Sequence, residues 1–157
     1  MLRVMKLTLR PATKADWDFL YDLHRACCRE PDSPGNEEWD EDWESDRFRV
    51  FTDLEQRQIV AVDGSDGASF SIVEHPAWLA LDYLAVRPEL QNQGIATRLF
   101  GLFLAEAQAK GVGLRVSLLR GDRALALAQR LGFRLRLEEG QSVHLEHPGG
   151  SGAPKVE

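Results

Sequence analysis

The stretch from Leu84 to Leu99, LAVRPELQNQGIATRL, limits what this chain can fold into more than any other part of it. An apolar strand ends at Pro88, and a short polar loop follows. Gly94 then opens a long helix on which Leu99, Leu102 and Phe103 recur at helical spacing. A strand that feeds a helix in this way leaves unpaired backbone N–H groups at the positive end of the helix dipole. That arrangement grips a phosphate or pyrophosphate. Gly94 has no Cβ to hold a ligand off the backbone, and Ala96 is nearly as small.

Elements on both sides of this junction are marked by their own turn chemistry. Leu7 to Arg10 alternates as a strand closed by Pro11. Thr13 caps a helix starting near Lys14, with Asp16 in its first turn and Trp17, Leu20, Tyr21, Leu23 and His24 on its apolar side. Pro31 and Ser33-Pro34-Gly35 end that helix, and an acidic helix follows around Glu37 to Phe48. Strands Gln58 to Val62 and Ala68 to Glu74 flank a hairpin turn at Asp63 to Gly67, and Trp78 to Val86 is the next strand. After the glycine loop a helix runs to about Lys110, and Gly111-Val112-Gly113 turns into a strand at Leu114 to Leu119. A short helix follows Gly121-Asp122 and reaches Leu131, with Gly132 as its stop. Phe133 to Leu137 and Ser142 to Glu146 close the pattern as paired strands. The order is β-α-α-β-β-β-α-β-α-β-β, an α/β (α+β) chain with one domain over 1–148 and a flexible Gly/Pro-rich tail over 149–157.

Bulk properties narrow the function classes. At 157 residues the chain is long enough for one sizeable core. A net charge of −6, with Lys and Arg scattered rather than clustered, argues against nucleic acid as a partner. No apolar run reaches membrane-spanning length, and Met1 to Lys6 is too short and mixed for a secretory signal. The two cysteines, Cys27 and Cys28, are adjacent in a helical segment and read as free thiols of a cytoplasmic protein. His24 is the only nearby residue that could join them on a metal, so no metal is expected. No G-x-G-x-x-G or Walker lysine follows a strand, which argues against a nucleotide-binding fold.

Gln91-Asn92-Gln93-Gly94-Ile95-Ala96 fits the pattern Q/R-x-x-G-x-G/A, and Ala124-x-x-Leu127-x-x-x-Leu131-Gly132-Phe133 is a second landmark downstream. On these residues the chain resembles the GNAT-type N-acetyltransferase superfamily. Trp39-Asp40-Glu41-x-Trp43 resembles a bacterial-type subgroup of it. The resemblance implies a central mixed, mostly antiparallel sheet of about seven strands flanked by about four helices. It also implies acetyl-CoA as cosubstrate, its diphosphate on the N–H groups of Gln91, Asn92, Gln93, Gly94, Ile95 and Ala96, with the Thr97 hydroxyl in support. The pantetheine would lie along Leu84, Ala85 and Val86, which requires Leu114 to Leu119 to splay away from that strand. Asp122 stands nearest to the asparagine usual at the pantetheine amide.

Transfer to an amine needs an unprotonated nitrogen, alignment on the thioester, a donor for the developing oxyanion and a proton for the departing thiolate. A strand N–H near Leu84 or Val86 is the candidate oxyanion donor, and Asp82 and Glu74 are the candidate bases; both also read as ordinary solvent-facing strand residues. Family members often carry an acidic tyrosine five residues before the Phe of Leu-Gly-Phe, where this chain has Ala128. Tyr83, Tyr21, Ser117 or water are the alternative proton donors. Slow catalysis, or binding of acyl-CoA without turnover, are the other consequences of Ala128. Asp32 to Asp46 holds eight acidic residues and no Lys or Arg. Trp39 and Trp43 in it either form an aromatic patch for a cationic amine or pack on the core. The expected acceptor is a primary amine of a small molecule, with a protein or peptide amine as the alternative, and the expected state is a monomer or homodimer.

Overall fold

Local chemistry fixes most of the elements. In the computed structural model, which describes residues 5–28 and 40–148, β1 (Leu7–Pro11) precedes a 3-10 turn at Lys14–Asp16 and α1 (Trp17–Cys28). The Thr13 N–H donates to Asp16 Oδ2 at 2.8 Å, closing the turn that starts α1. Next come α2 (Glu41–Phe51), β2 (Arg57–Val62), β3 (Ser65–Glu74), β4 (Trp78–Val86), α3 (Ile95–Lys110), β5 (Gly113–Leu119), α4 (Arg123–Arg130), β6 (Arg134–Glu139) and β7 (Ser142–His147). The expected order of strands and helices is the observed one. The seven strands are hydrogen-bonded neighbours in the order β1-β2-β3-β4-β5-β7-β6.

Several boundaries differ from the sequence expectation, most clearly at the β2–β3 turn and in α2, which ends at Phe51 rather than at Phe48. The β2–β3 turn is only Asp63-Gly64, both at positive φ (53° and 90°), so β3 starts at Ser65 rather than at Ala68. This two-residue turn matches the twist of the strands, and the register slips once between Val60 and Ala61 to pass Gly67. α2 begins at Glu41, because Asp40 caps it by accepting from the Trp43 N–H at 3.1 Å. The expected start at Glu37 lies outside the described residues.

The chain separates into two compact units. The first holds the described residues up to Ser71 together with Tyr83–Gln93, and the second holds Ile72–Asp82 and the residues from Gly94 on. In the first unit Leu20, Phe48 and Ile59 form a buried cluster, with Phe48 against the rings of Trp17, Tyr21 and His24. Arg10 forms a two-pronged pair with Asp16 at 2.8 and 2.9 Å and a third bond to Asp66 at 2.9 Å. In the second unit Ile95, Leu99, Phe100, Phe103 and Ala107 give α3 its buried side, and Phe100 meets Phe133 edge-on. Burying side chains of this size stabilises by roughly 1.5–3 kcal/mol each. β6 lies last in the sheet; it is exposed along its length and its register is broken between Leu135 and Leu137.

Candidate functional site

The glycine loop is held by side chains that reach back to the strand it leaves. In the first unit the Arg87 N–H donates to the Gly67 carbonyl at 2.9 Å, and Pro88–Leu90 forms a 3-10 turn. Gln91 Nε2 donates to the Val86 carbonyl at 3.0 Å, and the Cys27 thiol donates to the same oxygen at 3.2 Å. Gln93 Nε2 donates to the Glu89 carbonyl at 3.0 Å. The side chains of Gln91 and Gln93 therefore brace the loop. Gly67 carries no side chain for a reason: an added Cβ would lie 2.5 Å from Leu90 Cδ1 and 3.2 Å from Val62 Cγ2.

Asn92 adopts φ 64° and Gly94 φ 85°, so two left-handed residues stand close together just ahead of α3. Asparagine tolerates that region and glycine occupies it freely. Successive N–H groups in such a turn form a concave anion cradle. Gly94 is the N-cap of α3, and its carbonyl accepts the first helical bond from the Arg98 N–H at 3.0 Å. The N–H groups of the first turn have no acceptor inside a helix. A Cβ added on Gly94 would meet nothing of the described residues within 4 Å. Gln91, Asn92, Gln93, Gly94 and Thr97 are exposed, Ala96 is half-buried, and Ile95 is packed inside. These features fit a diphosphate.

On β4, Ala85 and Val86 are buried and Leu84 is half-buried. The parallel ladder between β4 and β5 pairs only Trp78–Leu81 with Gly113–Val116. Asp82 is the first β4 residue beyond the ladder and Ser117 the first on β5. Asp122 is exposed and caps α4, accepting from the Ala124 N–H at 2.8 Å. Glu74, at the end of β3, is paired with Lys110 Nζ at 2.9 Å; that carboxylate raises the Lys110 pKa.

Trp43 is 57% exposed and does not belong to the core. The Arg47 guanidinium sits 5.3 Å from its ring centroid, so a cation of its own helix already covers it. Trp39 lies outside the described residues. Ala128 is fully buried, and its carbonyl accepts from the Leu131 and Phe133 N–H groups. A tyrosine grafted there would have to displace its packing, which typically costs about 1–3 kcal/mol.

Two clusters escaped the sequence reading. In the first unit Arg57 is 5% exposed and stacks 3.8 Å from the Tyr83 ring centroid, while Tyr83 Oη lies 3.3 Å from His24 Nδ1. Burial lowers the Arg57 pKa, which the Tyr83 oxygen opposes. Burial, then the charges of Arg57 and Arg47, lowers that of His24. In the second unit Ser117 Oγ lies 2.7 Å from His144 Nδ1, and His144 Nε2 lies 3.4 Å from Glu139 Oε1. Ser117 was one of the expected proton donors, but a partner twenty-seven residues away is visible only once β5 and β7 are in register.

The Acetyltransferase (GNAT) family profile matches residues 17–133, and the chain belongs to that family. Its fold is similar to that of the PaiA N-acetyltransferase from Thermoplasma acidophilum, solved with coenzyme A. That comparison gives a TM-score of 0.72 and 14% identity, over 91% of this chain and 99% of the other. It is also similar to a ribosomal-protein alanine N-acetyltransferase from Escherichia coli (0.68, 17%, 97% and 99%) and to an N-acetyltransferase from Staphylococcus aureus (0.69, 12%, 89% and 100%). No curated protein gives a significant match. Among the described residues no helix is long and apolar enough to cross a membrane, and no group of three or more His, Cys, Asp or Glu could hold a metal.

Proposed function

We propose that this chain is an acetyl-CoA-dependent N-acetyltransferase that acetylates a primary amine of a small molecule by direct transfer in a ternary complex. The reading rests on the paired left-handed residues Asn92 and Gly94 just ahead of α3, with nothing of the described residues within 4 Å of a Cβ built on Gly94. In this reading the backbone N–H groups of Asn92 to Ala96 and the Thr97 hydroxyl hold the cofactor's diphosphate; the Gln91 N–H, also expected there, instead donates to the Pro88 carbonyl at 3.2 Å, so Gln91 serves by bracing the loop. Leu84, Ala85 and Val86 line its pantetheine arm, and Asp122 borders it. Bound acetyl-CoA supplies an acetyl group activated as a thioester.

The protein's own contribution is alignment, a base and a proton donor. Asp82 is the base, because it stands exposed just past the β4–β5 ladder whereas Glu74 already has Lys110 as its ion-pair partner. Trp43, with the carboxylates around it, borders the acceptor. We take residues 1–148 as the catalytic domain and 149–157 as a tail, in a cytoplasmic monomer or homodimer.

Ala128 favours one other reading, an acyl-CoA-binding module without turnover. Both are tested by one pair of measurements: thermal stabilisation by CoA, and thiol release from acetyl-CoA over a panel of small amines and peptides. Stabilisation with release on small amines supports the enzyme, and release on peptides alone moves the acceptor class. Stabilisation without release on any acceptor establishes the binding module.

A further inference from the structure

The proton that the departing thiolate needs has no donor at position 128, where a buried methyl group stands. We propose that Ser117, His144 and Glu139 form a relay that delivers this proton, with Ser117 as the group that touches the sulfur. The inference rests on the acetyltransferase reading above and names a part of its machinery.

Three observations on β5, β6 and β7 carry it. Ser117 and His144 are directly opposed in the antiparallel register, with Oγ and Nδ1 2.7 Å apart, a short hydrogen bond. Glu139, diagonal to His144 across β6–β7, stands 3.4 Å from the other ring nitrogen. The chain of three also lies in the right place. Leu114 and Val116 turn into the core, so alternation sends Ser117 to the opposite face of the sheet, where it is exposed. Alternation on β4 puts Asp82 on that same face, because Leu81 is its buried neighbour and pairs with Val116. The proposed base and the proposed proton donor are thus the first residues on their strands beyond the ladder.

The proton balance is simple. When the imidazole carries both protons, Nε2–H points to the Glu139 carboxylate and Nδ1–H to Ser117 Oγ. As the C–S bond breaks, the sulfur takes the Ser117 hydroxyl proton and Ser117 recovers one from Nδ1. The neutral ring left behind keeps its Nε2 proton toward Glu139, and its Nδ1 accepts from the serine. The proton given up by the acceptor amine recharges it, and the acetyl group passes to the amine throughout.

The test uses the whole protein, with 15N-labelled histidine, and two cofactors that differ only at the sulfur. CoA should shift the His144 ring nitrogen signals, and desulfo-CoA should shift them much less. Equal shifts, or none, would overturn the relay whether or not the protein turns over. Failure to bind CoA at all would remove the acetyltransferase reading and the relay with it. In turnover, Ser117→Ala and His144→Gln should each lower kcat by about 100- to 10,000-fold, the usual scale of a lost acid–base group, with KM for acetyl-CoA unchanged. Ser117→Thr should restore most of the rate. The double variant should be no worse than either single one, because the two residues act as a unit. Additive losses, or a loss in KM alone, would show that the trio only braces the sheet.

Discussion

Arg57 opens β2 with its guanidinium sealed under Phe48 and Tyr83, and its Nε and Nη1 atoms have no hydrogen-bond partner among the described residues. No carboxylate of the described residues forms an ion pair with it. A buried charge kept in this way is costly; stacking on two aromatic rings offsets part of that cost, by about 0.5–2 kcal/mol. Arg57→Met keeps the length and the stacking surface while removing the charge. It should raise stability by about 1 kcal/mol, or about 2–4 °C in Tm. A fall in Tm would mean that the guanidinium contributes more through Tyr83 than its burial costs.

At the scale of the element, the start of α3 is the part that most depends on one residue. Nothing of the described residues crowds Gly94, so its role is conformational: φ 85° is strained for any other side chain by about 1–3 kcal/mol. Gly94→Glu should abolish CoA-dependent thermal stabilisation, through that strain and through like charge against the diphosphate. An unchanged CoA affinity would refute the site.

This junction was readable from the sequence because its signals are local: a proline stop, a glycine and a run of periodic leucines. The β2–β3 turn was legible only in part. Asp63-Gly64 is a turn dipeptide, but Ser65, Asp66 and Gly67 are equally polar and disguised the resumption of the strand. Several acidic residues in a row can each serve as a cap, so Asp40 did not stand out as the residue that caps α2. For Trp43 the sequence left core packing and an exposed aromatic patch both open; the structure leaves it 57% exposed, and its helix turns Phe48 inward. Arg57, Ser117 and His144 have partners far away in sequence. A charged residue at the head of a strand reads as solvent-facing until its neighbours are known.

For the molecule as a whole, stability in acid has an identifiable source. Asp16 is buried, and its hydrogen bonds from Arg10, assisted by Thr13, hold its carboxyl at about 2, below the ordinary 3.8. A carboxyl lowered on folding adds stability that is complete above about pH 4 and is lost as the pH falls toward 2. Arg10 is partly exposed, so solvent discounts the effect to about 1–2 kcal/mol. Urea unfolding of Asp16→Asn should show a deficit of that size at pH 7, narrowing toward zero near pH 2. A deficit that does not change with pH would assign the role of Asp16 to packing rather than charge.

The last strand of the sheet also bears on how separate copies of the chain avoid one another. β6 carries Leu135 and Leu137, 57% and 49% exposed, among Arg134, Arg136, Glu138 and Glu139. An edge with unpaired backbone groups and exposed leucines is a template for a strand from another copy, and the charges and broken register are what deter it. Replacing Arg134 and Arg136 with threonine should leave the chain folded but bring on concentration-dependent light scattering well below Tm. Solutions that stay clear would show that the kink between Leu135 and Leu137 is guard enough.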